Sequence, residues 1–205
     1  MTDPNLVYVV DDDDAVRDSL EALLLAEGYD VVGFGSAEEF LNGRDVGAKG
    51  CCLLDVRMPG MDGITLLREI GDETATLPVV VMTGHGDVPM AVKAMKLGAV
   101  DFIEKPFDTN LMIEAVRSAL RSGHAAANAK VDPTLAAHIK RLTAREHDVL
   151  QHLVAGRSNK EVGLKLGISP RTVEIHRARL MEKMAAQSLA QLVRMAIEAG
   201  VEPAD

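Results

Sequence analysis

Five short apolar runs punctuate the first half of the chain, each followed by residues whose apolar positions recur at helical spacing. The runs are Leu6–Val10, Val31–Phe34, Cys51–Leu54, Pro78–Thr83 and Asp101–Glu104. Strand-length runs alternating with helices build βαβ units, and near-continuous apolar strands are those buried on both faces of a parallel sheet. The helices are marked too. Val16, Leu20, Leu23 and Leu24 share a stripe that stops at Gly28, Ser36-x-x-Glu39 reads as a capping box, and Gly63–Ile70 forms a short helix. A further helix runs from Asp87 to Leu97, Gly84-His85-Gly86 precedes it as a flexible loop, and Asp108 caps the last helix. Residues 1–122 are therefore expected to fold as an α/β, five-stranded, doubly wound parallel sheet.

The pattern changes at Gly123. Residues 123–140 are Ala-rich, contain Pro133 and few large apolar residues, and read as a partly helical linker. From Arg141 the pattern is purely helical. Thr143-x-x-Glu146, Ser158-x-x-Glu161 and Ser188-x-x-Gln191 are capping-box patterns, and Ser169-Pro170 is an N-cap with proline at the first helical position. These starts give four helices, about 144–155, 159–166, 170–184 and 189–199. The second and third are joined by Gly167-Ile168-Ser169, which makes 159–178 a helix-turn-helix candidate inside an all-α domain spanning 141–205.

Charge supports two domains with different partners. Residues 1–122 carry 10 Lys+Arg against 22 Asp+Glu, and residues 123–205 carry 12 against 9. No apolar stretch is long enough for a membrane span, and Met1-Thr2-Asp3-Pro4-Asn5 does not read as a signal peptide. Cys51 and Cys52 are adjacent in an apolar run, a spacing that suits neither a disulfide framework nor a metal site. They read as buried thiols of a protein working in a reducing cytoplasm.

Ligands of open α/β sheets bind at the carboxyl ends of the strands. There the chain places Asp11 and Asp12 after the first strand, Asp55 after the third, Thr83 after the fourth and Lys105 after the fifth. Taken singly, each has a bland reading: an acidic solvated loop, a turn aspartate ahead of Pro59-Gly60, a strand-end hydroxyl. Together they form a constellation. Crowded carboxylates repel unless a cation joins them, and Mg²⁺ prefers oxygen ligands while keeping several waters. Lys105 and Thr83 then offer a cation and a hydroxyl to an anion. A carboxylate nucleophile, a hard cation and a lysine together specify phosphoryl transfer through an aspartyl phosphate.

The stretches Val10-Asp11-Asp12, Asp55-Val56-Arg57-Met58-Pro59-Gly60-Met61-Asp62-Gly63, Thr83-Gly84 and Lys105-Pro106 resemble the receiver domain of two-component response regulators. The resemblance covers essentially all of residues 5–122 and implies a flavodoxin-like fold. It implies that Asp55 accepts a phosphoryl group from a sensor histidine kinase. It further implies Mg²⁺ held by Asp12, Asp55 and the Arg57 carbonyl with Asp11 acting through water, and phosphoryl contacts from Thr83 and Lys105. Phe102 falls at the family's switch aromatic, while its plain reading is a core residue of the last strand.

In the third C-terminal helix Val173, Leu180 and Met184 form an inward stripe, and Arg171, Glu174, Ile175 and Ala178 lie opposite. A recognition helix reads base edges with its N-terminal part. Arg171 suits guanine, Glu174 suits cytosine, and Ile175 or Ala178 suits a thymine methyl, with Lys160, Thr172 and Lys183 as phosphate contacts and His176 as a packed structural residue. Charge alone does not separate this reading from a helical bundle with a solvated basic face. The stretches Leu142-Thr143-x-x-Glu146, Gly156–Val162 and Ile168–His176 resemble the four-helix DNA-binding domain of the NarL/LuxR type over about 141–200. With the receiver, this places the chain in the NarL/FixJ class by resemblance. That class implies binding of double-stranded promoter DNA, dimerisation through the last helix and transcription activation with RNA polymerase. The stretches Thr83–Val92 and Asp101–Phe107 carry the likeness further, to activators of nitrogen-fixation genes with a FixL-like, oxygen-sensing kinase.

Phosphorylation adds roughly −1.5 to −2 charge at Asp55. The expected response is a shift of Thr83 and Lys105, a dimer face including Val92, Lys96 and Leu97, and release of the DNA-binding domain. A swing from mostly off to mostly on needs about 5.5 kcal/mol of differential interaction. Two other classes compete. A Mg²⁺-dependent phosphatase or phosphotransferase with an Asp nucleophile would want a second acid two residues on, where this chain has Arg57. An RNA-binding module with a vestigial receiver would not need the intact acid, Thr and Lys set.

Overall fold

The computed structural model describes residues 5–47, 49–84, 88–125, 133–186 and 188–204. The chain divides into two compact units, residues 1–86 with 96–129 and residues 87–95 with 130–205. In chain order the elements begin with β1 (Leu6–Val10), α1 (Asp14–Ala26), β2 (Asp30–Phe34), α2 (Ala37–Gly43), β3 (Gly50–Asp55) and α3 (Gly63–Ile70). They continue with β4 (Val79–Thr83), α4 (Val88–Lys96), β5 (Asp101–Glu104) and α5 (Thr109–Ala125).

The five strands form one parallel sheet in the order β2-β1-β3-β4-β5. Alternation along the strands divides the core. Val7, Val9, Cys51, Leu53, Val80 and Met82 point to one face and pack with Leu20 and Leu24 of α1 and Met112 and Val116 of α5. On the other face Tyr8 meets Phe34 and Phe40 with ring centroids 5.5–6.0 Å apart, so three of the few aromatic rings concentrate at one corner. Every residue of β3 is buried, as its unbroken apolar run requires. The strand order reverses between β1 and β3, so the crevice beyond their carboxyl ends is the topological switch point.

One glycine places the loop after β3. A Cβ on Gly63 would lie 2.1 Å from the Asp55 carbonyl oxygen, so α3 starts against the backbone of Asp55 only because residue 63 has no side chain. Asp62 caps that helix by accepting from Thr65 N at 2.6 Å. At α2, only half of the expected capping box forms. Ser36 accepts from Glu39 N, but the Glu39 carboxylate accepts from Gly35 N rather than from Ser36.

The second unit contains α6 (Pro133–Lys140), α7 (Ala144–Val154), α8 (Asn159–Leu166), α9 (Pro170–Met184) and α10 (Leu189–Glu198). Two of the three expected capping boxes, Thr143–Glu146 and Ser158–Glu161, are formed, and at the third Ser188 Oγ accepts from Gln191 N at 3.1 Å. Val149, Leu150, Leu153, Val162, Val173, Leu180, Met184, Leu192 and Val193 are all fully buried. The α8–α9 turn is tight. Gly167 sits in the left-handed region at φ 66°, and a Cβ on Gly163 would lie 2.6 Å from the Ile168 carbonyl oxygen. Arg145 of α7 reaches the carbonyl of Leu166 at 2.5 Å and ties the end of α8 to the bundle. The stretch read as a linker contributes α6 and the end of α5. Its residues 126–132, residues 85–86 of the expected Gly84-His85-Gly86 loop, and Asp87, the expected first residue of the next helix, lie outside the described residues.

Candidate functional site

The acids end where the strands end. Asp55 closes β3, and Asp11 follows β1 directly, on the neighbouring strand. Both are buried, at 4 % and 1 % exposure, and so is Thr83 at 1 %. The Lys105 ammonium joins the two carboxylates, lying 2.5 Å from Asp11 Oδ2 and 2.6 Å from Asp55 Oδ1. The other Asp55 oxygen accepts from Arg57 N at 2.6 Å. Thr83 stands beside Lys105, whose backbone N–H donates to the Thr83 carbonyl at 2.7 Å. Both oxygens of Asp55 thus have donors, which fixes the plane of the carboxylate and aims it out of the strand end.

The electrostatics follow from this geometry. Burial pushes the Asp55 carboxyl above its ordinary range, and Asp11 adds to this; Lys105 and the Arg57 N–H oppose it without cancelling it. Burial would lower the Lys105 ammonium, but hydrogen bonds to Asp11 and Asp55 more than reverse that and raise it. Lys105 is therefore a firm cation, and Asp55 is a carboxylate held at some cost.

The donor set is oxygen only, which suits Mg²⁺. Asp12 is exposed, and among the described residues no group of three His, Cys, Asp or Glu side chains is arranged to hold a metal. The Asp11–Asp55 pair fits a Mg²⁺ with few protein ligands and several waters. Phe102 is buried in β5 at 8 % exposure. At α4, Lys96 is exposed and Leu97 half-buried. Val92 lies on the same stripe as Ala91 and Met95 and is buried.

Arg171, Glu174, Ile175, Ala178, Arg179 and Glu182 are among the exposed residues of α9, and Lys160 is exposed on α8. These side chains give α9 a polar outer face of mixed charge over a dry inner stripe. Thr172 is half-buried, its hydroxyl 2.8 Å from Ser169 Oγ. Lys183 differs from the sequence expectation. Its ammonium binds the buried Glu146 carboxylate at 2.7 Å and is engaged inside the bundle rather than extended as a phosphate contact. Burial alone would raise Glu146, but Lys183 and both donors of Thr143 hold it at about 2. Arg177 is turned toward α8, donating to Asn159 Oδ1 at 2.9 Å. His176 is half-buried, with its Nδ1 enclosed and without a hydrogen-bond partner among the described residues. The Glu146–Lys183 and Arg177–Asn159 pairs join residues 37 and 18 apart on different helices, a separation at which no local sequence pattern marks a partner.

Residues 7–117 match the response regulator receiver domain, and residues 140–196 match the LuxR family of bacterial regulatory proteins. The chain is a two-component response regulator. It is 52 % identical to the transcriptional regulatory protein FixJ of Azorhizobium caulinodans, over 97 % of this chain and 95 % of that protein. It is 47 % identical to the protein of the same name from Bradyrhizobium diazoefficiens, over 98 % of each. The crystal structure of full-length FixJ from B. japonicum superposes with a TM-score of 0.55 at 47 % identity, covering 96 % of this chain and 97 % of that one. This response regulator therefore combines a receiver with a LuxR-type DNA-binding domain. That assignment displaces the phosphatase and RNA-binding alternatives. Among the described residues no helix is long and apolar enough to cross a membrane.

Proposed function

We propose that Asp55 accepts a phosphoryl group from the phosphohistidine of a sensor kinase, and that the modified protein binds promoter DNA as a homodimer. The observation that carries this reading is the buried Asp55 carboxylate held between the Lys105 ammonium and the Arg57 N–H. An Asp55 oxygen forms the new bond to phosphorus as the bond to the histidine nitrogen breaks. Asp11, Asp12, Asp55 and the Arg57 carbonyl are the residues that would hold Mg²⁺, which supplies charge neutralisation at the transferring group. Lys105 and Thr83 then move from their present partners to the phosphoryl oxygens. The buried Phe102 repacks as Thr83 moves, and Lys96 and Leu97 join a dimer face.

An apolar cleft of about 670 Å³ lies beside Lys105, lined by Val16, Leu20 and Leu23 of α1 with Pro106 and Phe107. It supports the docking of the kinase at this edge. On DNA, Arg171, Glu174, Ile175 and Ala178 face the major groove, with Lys160 and Thr172 on phosphates. Arg171 or Glu174 replacement should cost about 1–3 kcal/mol and relax specificity at one base pair. The relatives named FixJ support nitrogen-fixation or low-oxygen genes as targets, a FixL-like kinase as donor and RNA polymerase as the recruited machine, all in the cytoplasm. Hydrolysis of the acyl phosphate by the receiver itself resets the switch.

Solution mass with Mg²⁺ and beryllofluoride, which stands in for the phosphoryl group, tests the coupling. A monomer-to-dimer shift in the wild type but not in Asp55→Asn supports it. Beryllofluoride binding with no change of mass removes dimerisation as the output and leaves release of the DNA-binding domain.

A further inference from the structure

Asp11 is the most completely held residue of the site. Its N–H donates to the Phe34 carbonyl at 3.2 Å, its Oδ1 accepts from Asp13 N at 3.1 Å, and its Oδ2 takes the Lys105 ammonium. Its carbonyl oxygen accepts from Arg17 Nη1 at 2.6 Å. Arg17 lies on the first turn of α1, and its other terminal nitrogen binds the Asp14 carboxylate. Its side chain is only 21 % exposed. It runs past two glycines at the end of β2. A Cβ on Gly33 would lie 3.8 Å from Arg17 Cδ, and a Cβ on Gly35 would lie 3.7 Å from Nη1. The guanidinium is thus laid along a side-chain-free edge of the sheet and pinned at both ends of the Asp11–Asp14 loop.

We infer that Arg17 is a positioning residue for phosphoryl transfer: it holds the Asp11 carbonyl, and through it the Asp11–Asp12 turn, in the geometry that receives the divalent cation. The inference rests on the proposed receiver chemistry and extends it to a residue outside the reacting groups. The need arises from the switch itself. In this structure the Asp11 carboxylate is fixed by Lys105. When Lys105 turns to the phosphoryl group, that hold is lost, and the Asp13 N–H on Oδ1 and the backbone bonds from Arg17 and to Phe34 are what remain.

The sign of the effect separates positioning from simple charge. Removing a cation near an acidic site strengthens Mg²⁺ binding by Coulomb's law. Loss of positioning weakens it, and outer partners of metal ligands are typically worth 10–100-fold in affinity. The experiment is a Mg²⁺ titration of the full-length protein, followed by the rise in thermal midpoint and separately by the rate of phosphorylation. It uses wild type, Arg17→Gln, Arg17→Lys and the double variant with Asp11→Asn. The expected result is roughly a 10-fold higher half-saturating Mg²⁺ for Arg17→Gln, a smaller rise for Arg17→Lys, and no further rise from Arg17→Gln when Asp11 is already Asn. The rate at saturating Mg²⁺ recovers. If Arg17→Gln does not fold, Arg17→Lys carries the test, because it keeps the charge and loses only the two-ended guanidinium: a raised half-saturating Mg²⁺ supports positioning, and an unchanged one overturns it.

Unchanged or tighter Mg²⁺ binding in Arg17→Gln overturns the inference, as does an equal loss in the Asp11→Asn background. A wild type that shows no response to Mg²⁺ by either readout overturns the receiver chemistry itself, a result distinct from the other two.

Discussion

Lys105 donates to Asp55 across 2.6 Å while also holding Asp11 across 2.5 Å, so one ammonium bridges two buried carboxylates at the ends of adjacent strands. Removing one partner of a buried ionic group leaves the others uncompensated. Lys105→Ala should therefore destabilise the receiver by about 3–5 kcal/mol without Mg²⁺. Added Mg²⁺ should restore stability more strongly in the variant than in wild type, because the cation replaces the missing charge. Thermal denaturation with and without Mg²⁺ checks both halves.

Asp55 stands above the ordinary carboxylate range because burial disfavours its charge. The folded chain therefore binds that proton more tightly than the unfolded chain does. Its contribution is full below the ordinary Asp pKa and is lost as pH rises through the raised value. Asp55→Asn lacks this loss. The variant should be more stable than wild type at neutral pH, and the difference should shrink as pH falls toward the ordinary range. Denaturant midpoints measured across that window give the sign.

In the DNA-binding domain the charges of Lys183 and Lys160 have different roles. Glu146→Gln should cost about 2 kcal/mol, the worth of hydrogen bonds to a charged group. Glu146 is held at about 2, so wild-type stability from this pair is present above the ordinary Glu range and drains away as pH falls toward 2. Lys183→Met should destabilise the domain and leave the salt dependence of DNA binding unchanged. Lys160→Ala should leave stability unchanged and reduce the slope of log K against log salt by about 1. Unfolding curves and binding isotherms at several salt concentrations separate the two.

Gly63 is a steric requirement. Its missing Cβ would meet the Asp55 carbonyl oxygen at 2.1 Å. Gly63→Ala must push α3 away from β3 and should cost about 1–3 kcal/mol, with slower phosphorylation because Arg57 and its N–H move too. Stability and phosphorylation rate are read on the same preparation.

Much of this was legible because short-range physics dominates it. The strands announced themselves as apolar runs, and the caps at Thr143, Ser158 and Ser169 followed from side chains bonding amides two or three residues away. Asp11, Asp55 and Lys105 could be brought together once the strand order was inferred, since a parallel sheet delivers strand ends to one edge. What the sequence hid depends on distance. That Asp11 is the carboxylate seated on Lys105, while Asp12 stands exposed beside it, is visible only in the fold. Lys183 carries the same charge as Lys160, and only the fold reveals the buried Glu146 that claims it. The end of α5 and all of α6 fall in the Ala-rich stretch, where weak periodicity made helix and linker hard to tell apart.

The central claim is that Asp55 is the acceptor. Full-length wild type and Asp55→Asn, each incubated with a small-molecule phosphodonor and Mg²⁺, are compared by intact mass and by peptide mapping after reductive trapping of the acyl phosphate. One phosphoryl group on wild type, localised to Asp55 and absent from the variant, is the predicted result. A phosphoryl group retained by Asp55→Asn, or mapped to another residue of the wild type, would contradict the account.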